Sequence, residues 1–221
     1  MKHFVRYSAA IVVSVASVAG TAYAQTAGAT DPDRGYAAFT AGATFGHKSD
    51  ASIGGEVGYG LTDALHLFLE AGRMRNVATS DVDARAQKIA TAIGASGSTV
   101  QKATYYDAGL KWRLPAYDRW RPYALLGVGA ASVKTEPSFS IAGTDVTSRL
   151  AQFGVQLGSD LSGTLTKVFL TVGVGTNITF GGRFLADLSY RYGRIFPKTS
   201  EIENDRGINA QRVQLGVGMK F

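Results

Sequence analysis

The chain has 221 residues, a formal net charge of +6, 27 glycines, 10 tyrosines, 11 phenylalanines and no cysteine. That length sets a prior of one domain, and the missing cysteines exclude disulfides, thiolate metal sites and the acylated cysteine of a lipoprotein. Beyond the N-terminus no stretch approaches the roughly 20 apolar residues of a membrane helix, and so mild a positive charge does not call for nucleic acid.

The first 24 residues read as an export signal. Lys2, His3 and Arg6 make a positive start, Ala9 to Ala19 a short apolar core, and Ala22-Tyr23-Ala24 a small-x-small cleavage site, so that Ala22 and Ala24 direct cleavage before Gln25. Loss of Lys2 and Arg6 takes the net charge from +6 to +4. Residues 25–33, "QTAGATDPD", read as a flexible periplasmic lead-in ending in a proline turn signal.

From Tyr36 onward the hydrophobic period is two, the period of a strand. The first run sets Ala37, Phe39, Ala41, Ala43 and Phe45 against Tyr36, Thr40, Gly42 and Thr44. After "HKSD", a second sets Ile53, Val57, Tyr59 and Leu61 against Ser52, Gly54, Glu56 and Gly58, and after "LTDA" a third sets Leu65, Leu67, Leu69 and Ala71 against His66, Phe68, Glu70 and Gly72. Similar runs are expected over roughly 102–114, 121–134, 165–180 and 183–194. The eighth is "RVQLGVGMKF", with Val213, Leu215, Val217, Met219 and Phe221 on one face.

Eight such runs suit tilted membrane crossings of roughly 9 to 11 residues each. Connections near 61–64, 114–121 and 180–183 are short, whereas those near 76–101, 134–165 and 195–206 are long. Short turns on one side and long loops on the other are the pattern of an outer-membrane barrel with its long loops outside. A soluble sandwich also alternates, but its second face meets water and is rich in Lys, Glu, Thr and Ser. Here that face is dominated by glycine with single, widely spaced charges, which suits a lumen just wide enough for side chains to fill. The expectation is an all-β fold: an eight-stranded antiparallel up-and-down transmembrane β-barrel over residues 34–221.

Across residues 34–221 the sequence resembles the outer membrane protein beta-barrel domain family, including the OmpA-type transmembrane domain. The stretches "GGEVGYGLTDALHLFLEAGRM", "RPYALLGVGAA", "TVGVGTNITF", "DLSYRYG" and the terminal phenylalanine carry the likeness. It implies that Val213, Leu215, Val217, Met219 and Phe221 form a C-terminal signal read by the barrel insertion machinery. No segment of the sequence resembles the peptidoglycan-binding domain that often accompanies such barrels.

Counted from the strand ends, Glu56, Glu70, Asp107, Arg191 and Arg212 fall at similar inward depths, with Lys111, Arg113 and Asp187 nearer the periplasm. Isolated charges in so tight a space are costly, so a network of salt bridges is expected, with Glu56 and Glu70 sharing basic partners. Outward aromatics form two girdles: Tyr59, Trp112, Phe180, Phe184 and Phe221 on the periplasmic side, and Phe45, Tyr106, Tyr190 and Tyr192 on the other. In the second loop, "SDVDARAQKIATAIG" predicts a helix over 80–94, opened by a capping box of Ser80 and Asp83, that covers the barrel mouth or rests on lipopolysaccharide. "SFSIAGTDVTS" in the third loop reads as a hairpin above the membrane, with two further membrane strands as the alternative.

The three "GVG" triplets lack the following helix of a nucleotide loop and read as packing glycines. His47, with Ser49 and Asp50 nearby, is the one conceivable nucleus of a catalytic triad, and no enzyme motif surrounds it. The reading is therefore a non-enzymatic, monomeric outer-membrane protein with no metal, cofactor or nucleic-acid partner. It meets outer-membrane lipid and lipopolysaccharide and acts structurally or through surface interaction. The alternative is a narrow passive channel for ions or small solutes.

Overall fold

The computed structural model describes residues 34–116, 119–158, 161–197 and 206–221. The signal, its cleavage residues Ala22 and Ala24 and the whole lead-in, 25–33, therefore lie outside the described residues. Within them the chain runs β1 (Gly35–Phe45), β2 (Asp50–Gly60), β3 (Leu65–Met74), a helix α1 (Ser80–Ala92), β4 (Ser96–Arg113), β5 (Trp120–Ile141), a two-residue β6 (Thr144–Asp145), a 3-10 turn (Thr147–Phe153), β7 (Gly163–Phe180), β8 (Phe184–Ile195) and β9 (Ile208–Lys220). All neighbouring strands pair antiparallel, and β4 pairs with β5 to complete the ring β4-β3-β2-β1-β9-β8-β7-β5. This is a closed eight-stranded barrel, with β6 appended outside it.

The period-2 pattern dictates which way each side chain points. On β9 every odd residue from Asn209 to Met219 is exposed, while Arg212 and Gln214 on the other parity are buried. Phe39, Ile53, Leu69, Leu126, Val174 and Leu215 are all more than half exposed, an arrangement that suits hydrocarbon and would be costly in water. Complete closure leaves no sheet edge and pairs the backbone groups that lipid cannot satisfy.

Register fixes the barrel's dimensions. One circuit runs from Phe45 through Gln211, Tyr192, Val172, Leu126, Leu110, Leu67 and Tyr59 and returns to β1 at Gly35, ten residues before its start. A shear of ten on eight strands, with standard strand spacings, corresponds to a tilt of about 40°. At the end with the short turns Phe180 hands over to Phe184 through Gly181 and Gly182, whose φ values of 59° and 77° favour glycine.

Two strands are longer than the apolar pattern predicts. β4 begins at Ser96 rather than near 102, and β5 continues to Ile141 rather than 134. Their pairing runs unbroken from Trp112 and Ala124 out to Ser96 and Ser140, so residues 96–101 and 134–141 form a hairpin ribbon instead of loop. The turn at Ala142 and Gly143 reverses β5 into β6, which pairs back at Ser140 and Ile141 and stays above the barrel.

On this ribbon sits a second small core. Ala86 and Ala90 of α1 pack with Phe139, Val146, Leu150 and Leu161, with Val82, Ile89 and Ile93 against them. The helix thus docks on the ribbon and the third loop. Its N-cap is Thr79, whose hydroxyl accepts from the Val82 amide, and not Ser80. Asp83 does not complete a capping box: its carboxylate accepts from Lys48 Nζ at 2.7 Å and stands 3.1 Å from His47 Nε2, and Lys48 also donates to the Thr99 carbonyl at 3.0 Å. One buried acid thereby ties the first loop to the helix.

Candidate functional site in the barrel lumen

The inward parity of the strands places Glu56, Glu70 and Asp107 on one wall and Arg191 and Arg212 on another. Glu56 pairs in register with Glu70, and Glu70 with Asp107, so β2, β3 and β4 carry a row of three carboxylates. Arg191 lies opposite Arg212 on β8 and β9. Because the barrel is narrow, long side chains from one wall reach the other.

Arg191 makes the central bridge. Its Nη2 donates to Glu56 Oε2 at 2.7 Å and its Nη1 to Glu70 Oε2 at 2.6 Å, joining residues 135 and 121 positions apart in the chain. The remaining oxygens are also engaged. Glu56 Oε1 accepts from Lys111 Nζ and from the Tyr36 hydroxyl, both at 2.5 Å, and Glu70 Oε1 accepts from the Tyr105 hydroxyl at 2.8 Å and from Arg212 Nη1 at 3.4 Å. Arg191 and Arg212 are each 0% exposed. Each of these is a charge-assisted hydrogen bond, roughly twice as strong as one between neutral groups.

Aromatic rings complete the solvation of the cations. Lys111 Nζ lies 4.4 Å from the Tyr123 ring centroid and 5.0 Å from that of Tyr36, and the Arg212 guanidinium lies 4.4 Å from that of Tyr105. Desolvated cations gain most from such faces. Asp187 joins the assembly indirectly, accepting from the Tyr123 hydroxyl at 2.6 Å. Arg113 forms no ion pair among the described residues; it packs over Tyr36 at 5.8 Å. Asp107, though buried beside Glu70 in the carboxylate row, has neither oxygen hydrogen-bonded among the described residues. The expected network thus has a core of Glu56, Glu70, Lys111, Arg191 and Arg212.

Tyr36, Tyr105 and Tyr123 belong to the same assembly, and the sequence pattern does not single them out. Their inward parity was legible, but nothing in a period-2 pattern marks a tyrosine as partner to a glutamate 20 or 35 residues away. Above the ionic layer, Met74, Ala103, Val133, Phe169, Ile195 and Ile208 fill the lumen with apolar side chains.

The aromatic residues face outward at both ends. Tyr59, Trp112, Phe180, Phe184 and Phe221 are exposed near the short turns, Phe45, Tyr106 and Tyr190 towards the long loops, and Tyr192 is half-buried there. Tyr190 and Tyr192 donate to Gln211 and Asn209 of β9. His47 and Asp50 do not come together: His47 turns to Asp83, and no hydrogen bond joins it to Ser49 or Asp50 among the described residues.

A closed barrel with an apolar outer face, a polar filled interior and long loops at one end defines a transmembrane outer-membrane protein. The outer membrane protein beta-barrel domain matches residues 8–221, and the chain belongs to that family. Among solved structures, the crystal structure of Neisserial surface protein A, NspA, is 17% identical with a TM-score of 0.50, the match covering 85% of this chain and 96% of that one. The N-terminal barrel of Pseudomonas aeruginosa OprF is 17% identical, with a TM-score of 0.45 and coverage of 86% and 99%. Ail, the attachment invasion locus protein of Yersinia pestis, is 18% identical, with a TM-score of 0.44 and coverage of 85% and 99%. At 17% identity the likeness to NspA is one of fold. No curated protein matches the chain.

Proposed function

We propose that this outer-membrane barrel is sealed to ions and solutes, and that it acts structurally in the envelope and through the part standing above the membrane. The observation that carries the reading is Arg191, wholly buried and clamped between Glu56 and Glu70 across the lumen. Breaking a buried ion pair leaves an uncompensated charge, at about 3 to 5 kcal/mol. Thermal opening of a path through this layer is correspondingly rare. The buried apolar side chains above it, Met74, Phe169 and Ile195 among them, add to the barrier, because they offer an ion nothing to replace its water. The docked helix and ribbon give the extracellular end a packed surface, with a core of its own, on which recognition can rest.

Planar-bilayer recordings test the seal. The folded wild type is expected to be silent, and the E56Q/E70Q variant, which removes both carboxylates that Arg191 bonds, to show intermittent openings. Reproducible conductance by the wild type overturns the reading in favour of a passive channel. Heat-dependent electrophoretic mobility establishes that each protein in the bilayer is folded.

A further inference from the structure

Above the apolar band, the outer surface of β3, β4 and β5 carries cations that the lumen does not use. Arg73 and Arg75 follow Ala71 on the outward parity of β3 and its extension, and both are exposed. On β4, Lys102 lies four residues beyond the exposed girdle residue Tyr106, and Lys134 of β5 is its direct register partner. Four residues along a strand tilted about 40° is a climb of about 10 Å. These side chains therefore stand just outside the hydrocarbon, at the depth of lipid headgroups, over a lipid-facing surface that includes Leu69, Tyr106 and Val128.

Like charges directly opposite one another destabilise a sheet, so the Lys102 and Lys134 pair calls for a counter-charge. Glu136 supplies part of it. Its carboxylate accepts from both ammonium groups, the Lys134 contact being 2.9 Å, and these hydrogen bonds hold its pKa at about 2, below the ordinary carboxylate value of 4.5. One acid against Arg73, Arg75, Lys102 and Lys134 leaves the group strongly positive. Asp50 is only a distant partner, 4.0 Å from the Nε of an Arg75 whose side chain is 71% exposed.

We propose that this face binds the phosphate-bearing headgroup of an outer-leaflet lipid. Charge and depth together select that occupant: the cations project sideways from the barrel wall at headgroup height, where a lipid on the apolar strip below delivers its phosphate. Arginine offers forked donors and lysine a point charge, the two means by which proteins hold phosphate. The proposal rests on placement in the outer membrane and is independent of whether the lumen is sealed.

Native mass spectrometry of the refolded full-length protein in a maltoside detergent provides the test. The probes are diphosphorylated lipid A, the same lipid with both phosphates removed, and inorganic phosphate. At about 1 kcal/mol per cation near a charged surface, each lysine is worth about fivefold. K102Q/K134Q is therefore expected to lower retention of diphosphorylated lipid A about 25-fold, with K102R/K134R restoring it and K88Q, on the exposed face of α1, leaving it unchanged. E136Q is expected to raise affinity, an outcome that a merely structural role for the cluster does not produce. Equal retention of the two lipids by the wild type, or unaltered binding by folded K102Q/K134Q, overturns the proposal. Inorganic phosphate bound as tightly as the lipid overturns its assignment to a headgroup.

Discussion

Single residues in this barrel are constrained from two sides, by the neighbouring strand and by the lumen. Gly129 of β5 shows the tighter case: a Cβ there would run into the Tyr106 carbonyl oxygen of β4, which is backbone and cannot rotate away. Gly55 on β2 points outward, and a Cβ there would lie 3.7 Å from the Ala38 carbonyl oxygen, an ordinary contact. Two chemically identical substitutions are thus expected to diverge. Overpacking costs about 1 to 3 kcal/mol, so G129A should lose about that much stability in urea unfolding from lipid vesicles, while G55A stays within about 0.5 kcal/mol of wild type. Equal effects at both positions contradict the strand spacing described here. The sequence marks Gly129, in a GVG triplet, as a packing glycine and does not single out Gly55; how little room each has depends on how closely the neighbouring strand approaches.

At the scale of elements, the sequence was most legible where the chain meets hydrocarbon. Outward apolar residues on each strand matched the period-2 reading from β1 to β9, because lipid enforces one simple rule on every exposed position. The outer ends of β4 and β5 were missed for a related reason. Above the membrane the rule reverses: Lys102, Thr104, Ser132 and Lys134 face outward, while Ala103, Tyr105, Ala131 and Val133 fill the interior. The alternation continues across the boundary with its polarity inverted, so an apolar stripe followed on one face stops where the strand does not. The helix was legible from its own periodicity, but its dock was not, because Asp83 finds Lys48 and His47 more than 30 residues earlier. Removing that tie isolates its contribution. D83N is expected to leave the barrel's stability unchanged and to expose α1 and its flanks to limited proteolysis several-fold faster than wild type, since the barrel's strand pairing is complete without the helix. Unchanged cleavage would assign the docking to the Ala86, Ala90 and Phe139 core alone.

For the molecule as a whole, everything depends on one seam. β1 and β9 meet at the two ends of the barrel sequence, and their pairing runs from Tyr36 and Lys220 to Phe45 and Gln211. Phe221 extends it: its amide donates to the Gly35 carbonyl at 2.9 Å and its carbonyl accepts from the Gly35 amide at 2.8 Å, while its ring covers Gly35 so closely that a Cβ there would meet it at 2.5 Å. The backbone part of that contact survives loss of the ring, because any residue supplies the same two hydrogen bonds. Phe221 is 69% exposed, so most of its surface packs against nothing in the barrel. If the insertion machinery reads Phe221, as the family resemblance implies, that recognition separates from stability. F221A is expected to refold into pure lipid vesicles to nearly the wild-type extent and to lose less than about 1.5 kcal/mol, yet to assemble in cell outer membranes at a small fraction of the wild-type level. A variant lacking residues 219–221 removes the seam's hydrogen bonds as well and is expected to fail in both settings. If F221A assembles normally in cells, the ring is a lipid contact and nothing more. If it fails equally in vesicles, the contact with Gly35 is a structural requirement of closure.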